Sequence, residues 1–248
     1  MKIGISTAVN TGRENWERMQ DLLKYDFKHI EFYNKITRIR YEDIPTLKKI
    51  RKQSGISFSF HSMVQDLFST DLVVAEGEYF SLMSEIRISS LLGCRNIVFH
   101  ITKKTKLTEL EFRKLRRLVR FAKKQNIALC LENNSSSGPF STEYLQQVLS
   151  KVKGLSLCVD IGHLKVAVYK KYMKNYKNFL NNVGAYIYQF HVSYNDGKKD
   201  LHDALTKDGV KWLLEVLEES NIENPCLVIE TRNIRQAMVS KTIIQRYV

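Results

Sequence analysis

The sequence predicts a single (β/α)8 barrel, an α/β fold, and three observations carry that prediction. Eight short runs of apolar, β-branched and aromatic residues alternate with stretches of helical periodicity. The length, 248 residues, is typical of one such barrel, and no Pro- or Ser-rich linker or low-complexity tract divides residues 1–248, which read as one domain. Six of the eight strands also stop at a residue that can bind a metal: His61, His100, Glu132, Asp160, His191 and Glu230. In a closed parallel barrel the C-terminal strand ends converge on one face, so these six would share one small area.

The strands are expected at about 2–7, 29–33, 56–61, 96–100, 127–132, 155–160, 185–192 and 226–231. Helical periodicity fills the gaps, most clearly in LTELEFRKLRRLVRFAKKQ, STEYLQQVLSKV and GVKWLLEVLEES. Thr108 with Glu111 forms a capping box, and Ser141 precedes Tyr144 and Leu145 as a second helix N-cap. Gly55, Gly93 and Gly154 stand just ahead of strands, where a helix end calls for a left-handed residue.

The net charge of +13 suits an anionic partner. Much of it lies in KLRRLVRFAKK (114–124) and YKKYMKNYK (169–177), where a solvated helical face accounts for it. Cys94, Cys130, Cys158 and Cys226 show no C-x-x-C spacing, which argues against a zinc knuckle, a redox motif or a disulfide framework. Strand alternation turns the last three inward, beneath the strand-end layer. No signal-peptide core or membrane-length apolar run is visible, so the expectation is a cytoplasmic protein with no membrane partner.

Two short spacings join the strand-end residues. In Asp160-x-x-His163 a first helical turn brings both side chains to one side, and in Asp200-x-His202 an extended backbone does the same. Each is weak alone. Together with the strand ends they use five of the six histidines and leave only His29, which starts a strand away from the face.

The series FHS, VFH, LEN, VDIGH, FHVSYNDGKKDLH and IET resembles, in order and over nearly the whole chain, the xylose isomerase-like barrel superfamily. That superfamily includes endonuclease IV and many sugar isomerases and epimerases. The nine candidate ligands match the endonuclease IV trinuclear zinc pattern. The resemblance implies one metal at His61, His100 and a bridging Glu132, a second at Glu132, Asp160, His191 and Glu230, and a third at His163, Asp200 and His202. The sequence departs from endonuclease IV in carrying His61-Ser62-Met63-Val64 where that enzyme has Ala-Pro-Tyr, and in its shorter loops. HVSYNDGKKDLH instead resembles a stretch common in the sugar-converting relatives.

The function expected from this pattern is phosphodiester hydrolysis at abasic sites in duplex DNA, with two to three Zn2+ ions, or Mn2+, generating hydroxide near neutral pH. Glu132 and Glu230 are the expected catalytic carboxylates. Lys35, Arg38 and Arg40 after strand two, Lys103, Lys104 and Lys106 after strand four, and Lys198 and Lys199 after strand seven would face the polyanion. Tyr33 and Tyr41 flank the first group and could stack on a base or sugar. The alternative is a sugar or sugar-phosphate isomerase or epimerase using one metal, with Glu132 and Glu230 as acid and base. A non-catalytic metal-binding barrel is disfavoured, because polar ligands at six strand ends cost core stability unless metal is bound.

Overall fold

The computed structural model describes residues 1–13, 15–101, 106–134 and 142–248. The strands are β1 (Lys2–Ser6), β2 (His29–Tyr33), β3 (Ser57–His61), β4 (Asn96–Phe99), β5 (Ala128–Glu132), β6 (Ser156–Asp160), β7 (Ile187–Val192) and β8 (Cys226–Ile229). They pair in sequence order, all parallel, and β8 returns to β1 to close the barrel. Between them run α1 (Asn15–Leu22), α2 (Asn34–Thr37), α3 (Ile44–Ser54), α4 (Leu72–Leu92), α5 (Glu109–Lys124), α6 (Thr142–Lys151), α7 (Ile161–Tyr169), α8 (Tyr176–Val183) and α9 (Lys207–Ser220), with α10 (Ile234–Tyr247) after β8. Among the described residues no helix is long and apolar enough to cross a membrane.

The turn chemistry explains most boundaries. Thr108 and Glu111 form the capping box at the start of α5. Gly55, Gly93 and Gly154 take φ values of 68°, 72° and 88°, a region that disfavours any residue with a Cβ. Ser141 lies outside the described residues.

Strand alternation splits the core in two. Outward residues such as Ile97, Phe99, Leu129, Leu131, Leu157 and Val159 belong to the large apolar cluster that packs the helices onto the barrel. Inside the barrel, Val98, Cys130 and Cys158 make a small separate apolar cluster. Both of these cysteines are buried, beneath Glu132 and Asp160 as their alternation requires. The rest of the interior is polar: His29, Glu31, Ser59, Asn96 and Gln189 are all buried within the strands. Such groups are stable in a core only when paired, and they are: His29 bonds Ser57 and Ser59 at 2.9 and 2.8 Å, and Asn96 donates to Gln189 at 2.7 Å.

Register sets the height of the upper layer. Tyr33 pairs with His61 and Asp160 with His191, so ligand candidates distant in sequence reach the same level.

Candidate metal centre

The structure brings all nine sequence-derived ligand candidates together at the C-terminal mouth of the barrel. His61 ends β3 and His100 follows β4; their Nε2 atoms lie 3.0 Å apart and 3.4 and 3.3 Å from Glu132 Oε2. His191 Nδ1 lies 3.3 Å from Glu132 Oε1 and 3.5 Å from Glu230 Oε2. Asp160 caps α7 by accepting the His163 N–H at 2.7 Å, which puts the D-x-x-H pair on one side of the first helical turn. The D-x-H pair meets differently from the extended geometry expected. His202 takes a left-handed φ of 49°, and that turn returns its Nε2 to 3.3 Å from Asp200 Oδ1.

Backbone carbonyls fix which imidazole nitrogens face the site. His163 Nδ1 donates to Asn133 O at 3.0 Å and His202 Nδ1 donates to Glu230 O at 2.9 Å. With the proton on Nδ1, each Nε2 presents a lone pair toward Asp200, at 3.0 Å from His163 and 3.3 Å from His202. Lone pair against carboxylate is repulsive unless a proton or metal cation lies between them.

The same need recurs throughout the cluster. Glu31 Oε1, His61 Nδ1, His100 Nδ1, Glu132 Oε2, Asp160 Oδ2, His191 Nδ1 and Glu230 Oε1 are buried without a hydrogen-bond partner. Orphaned buried polar atoms are costly, and a metal ion is what would satisfy them. The spacings fit: a tetrahedral zinc with bonds near 2.0–2.1 Å separates its ligands by about 3.3 Å. Histidine nitrogens with carboxylate oxygens suit zinc or manganese.

Without metal, protons take its place. Burial is the largest effect on His61 and pushes its pKa down, but hydrogen bonds to Glu230 and Glu31 and the charge of Glu132 outweigh it and raise the value to about 10. His163 reaches about 10 in the same way, burial being overcome by Asp160, Asp200 and Glu132. His202 reaches about 9, against burial, chiefly through Asp200. His100 goes the other way, to about 4, because burial there exceeds the pull of Glu132.

Glu31 escaped the sequence reading, which looked at strand ends. It lies mid-strand in HIEFY, fully buried, where an acid among apolar residues was the available signal. Ser59 Oγ and Gln189 Nε2 donate to its Oε2 at 2.9 and 2.5 Å. Its Oε1 stands 2.9 Å from His191 Nε2, an ion-pair contact without an in-line hydrogen bond. Glu85 is a second buried carboxylate outside the reading. It accepts from Ser62, from Asn34 and from the Met63 N–H, and so braces the segment after β3.

Above the cluster opens a cavity of about 520 Å3, walled also by Tyr33, Ile36, Gln65 and Arg232. Tyr33 sits 4.8 Å from the His61 ring, whereas Tyr41 is 56% exposed. Lys35, Arg38, Arg40, Lys106, Lys198 and Lys199 are exposed and none lines the cavity. The short α2 and the left-handed Arg38 (φ 46°) put the first group at the surface, where Arg40 pairs with Glu42 at 3.1 Å. Lys103 and Lys104 lie outside the described residues. Arg232 is the cation on the wall, its Nε donating to Leu201 O at 2.6 Å.

An uncharacterized protein of Methanocaldococcus jannaschii is 23% identical over all of this chain and 89% of its own length. Among solved structures, a D-tagatose 3-epimerase-like protein superposes with a TM-score of 0.84 at 22% identity, covering 100% of this chain and 97% of that one. An L-ribulose 3-epimerase gives 0.73 at 16% identity, covering 98% and 86%. The IolI protein, solved with a bound zinc atom, gives 0.79 at 14% identity, covering 100% and 99%. These neighbours, two of them named as sugar epimerases or epimerase-like, correct the expectation of an abasic-site phosphodiesterase. The physical reason is on the cavity wall: the described loop cations expected to grip DNA do not reach it, and its volume suits a small molecule. The profile of the xylose isomerase-like TIM barrel family matches residues 19–244, and the chain belongs to that family.

Proposed function

We propose that this chain is a divalent-metal-dependent isomerase or epimerase acting on a sugar or sugar phosphate. One observation carries the reading. Glu132 and Glu230, buried carboxylates on β5 and just after β8, lie within 3.3 and 3.5 Å of the same His191 nitrogen, and each retains an orphaned oxygen. Two carboxylates converging on one point are what proton transfer at a carbon beside a carbonyl requires.

Glu132, Asp160, His191 and Glu230 would hold the ion, zinc or manganese by donor type. When bound, it supplies the positive charge that stabilises developing negative charge on a substrate oxygen. Glu132 and Glu230 do the proton work: one removes the proton from the carbon, and the other returns a proton to the opposite face or to the neighbouring carbon. Glu31 orients His191 from behind, leaving Nδ1 turned toward Glu132 and Glu230, a role second-layer carboxylates often play. Tyr33 and Gln65 line the cavity where sugar hydroxyls would lie. His61 and His100 with Glu132, and His163, Asp200 and His202, form two further groups able to take a cation.

The test is a panel of ketoses and aldoses, free and phosphorylated, incubated with zinc- or manganese-loaded protein and followed by 13C NMR. A new epimer or isomer supports the reading. No conversion of any member by either loaded form would overturn it.

A further inference from the structure

The opposite end of the barrel holds a second cavity, of about 530 Å3, whose lining contains Lys2, Arg51 and Arg95 and no carboxylate. Among the described residues none of these three cations is within ion-pair distance of an acid. Three uncompensated positive charges around one concavity raise the local concentration of anions.

The arrangement is shaped by the chain, not left over from a charged surface. Gly93 closes α4 with φ 72°, which favours glycine, and the Arg51 guanidinium lies in the space a Cβ there would take. Arg51 spends one nitrogen on Gly93 O at 2.6 Å, and a guanidinium has further N–H donors to offer. Lys2 Nζ contacts Ser57 Oγ at 3.2 Å. Arg95 stands at the entry to β4 beside Asn96, and Tyr188 supplies an aromatic wall. The three cations come from β1, α3 and the turn before β4, and the fold alone makes them neighbours.

We propose that this floor cavity binds a compact phosphate-bearing anion, with Lys2, Arg51 and Arg95 as the charge-assisted donors. The site is separate from the metal centre and does not depend on what reaction that centre performs.

Calorimetric titration of the metal-loaded protein with inorganic pyrophosphate, and separately with a hexose 6-phosphate, tests this at low salt. A saturable step is expected that weakens with added salt, and the tighter of the two anions identifies the source of the phosphate. The double change Lys2→Ala with Arg95→Ala should weaken binding about tenfold or more, by loss of charged hydrogen bonds. Arg95→Lys alone should keep most of it, which covers the case in which the double variant folds poorly. Arg232→Ala at the opposite mouth, and Arg113→Ala with Arg117→Ala on α5, should leave it within about twofold. Absence of binding, equal binding of a neutral hexose, or binding indifferent to the floor pair would overturn the proposal. Capture of pyrophosphate by the metal centre would give the last of these results.

Discussion

The two mouths of this barrel are cavities of nearly equal volume, about 520 and 530 Å3, with opposite chemistry. At the C-terminal mouth Glu132, Glu230 and Asp200 face four histidines, and orphaned atoms await a cation. At the N-terminal mouth three cations line a cavity with no carboxylate among its described lining residues. Single strands connect them: β3 carries Ser57 at the floor, Ser59 in the middle and His61 at the top, and β8 leads from Cys226 through Val228 to Glu230. Moving two residues along a strand stays inside the barrel but changes the field entirely. The lesson is that inward alternation assigns a residue to the interior, while its height decides whether it serves packing, bracing or chemistry.

The largest effect should come from removing charge at the upper mouth. Glu132→Gln is expected to lower turnover by about a thousandfold or more, since it touches both proton transfer and metal holding. Steady-state assay of the loaded variant on the best sugar of the panel checks this. Retention of more than a tenth of the activity would move the proton work elsewhere.

Metal loading should be visible without any substrate. Chelator treatment is expected to lower the melting temperature and zinc to restore it, by about 3–4 kcal/mol at 100- to 1,000-fold excess over Kd. Because His61, His163 and His202 are held protonated up to about 10, 10 and 9 in the metal-free cluster, loading near pH 7 should release protons. Titration in buffers of different ionisation enthalpy measures them, and zero release would contradict the assignment of these nitrogens to the cation.

One layer down, Glu31→Gln should weaken metal affinity by about tenfold to a hundredfold, the usual cost of losing a second-layer partner. Competition with a chromogenic chelator reads that shift. A Co2+ spectrum of the loaded variant that keeps its coordination number would separate orientation of His191 from direct ligation.

A separate effect, on stability and not on the site, belongs to the floor. Burial lowers the His29 pKa to about 4, from an ordinary imidazole value near 6.5. The unfolded chain then takes up a proton that the folded one refuses. This contribution is fully present above pH 6.5, declines as the pH falls toward 4, and amounts to roughly 3 kcal/mol. Urea unfolding between pH 7 and 4 should show a steeper loss for the parent than for His29→Gln.

Much of this was legible in the sequence. All eight strands fall within about two residues of their expected bounds, because apolar runs between glycine-closed helices leave little freedom. The nine ligand candidates converge because strand ends and first helical turns fix side-chain direction locally. Glu31 and Gln189 were not found, since a mid-strand polar residue shows its purpose only when its neighbours across the barrel are known. Lys35, Arg38 and Arg40 were placed by order after a strand, but a left-handed Arg38 and a single turn of α2 put them at the surface. The reaction was not legible either: ligand types report affinity for a cation, whereas substrate choice lies in the cavity wall. The floor cavity draws on residues from β1, α3, β7 and β8, and no local pattern announces it.

In the proposed reaction Glu132 and Glu230 exchange protons with a carbon beside a carbonyl. The direct measurement is 1H NMR of a converted sugar incubated with loaded protein in D2O. Deuterium should enter at the single carbon that changes configuration or gains the proton, and Glu132→Gln and Glu230→Gln should each abolish the exchange while still folding. Conversion without deuterium in the product, or undiminished exchange by both variants, would contradict the account.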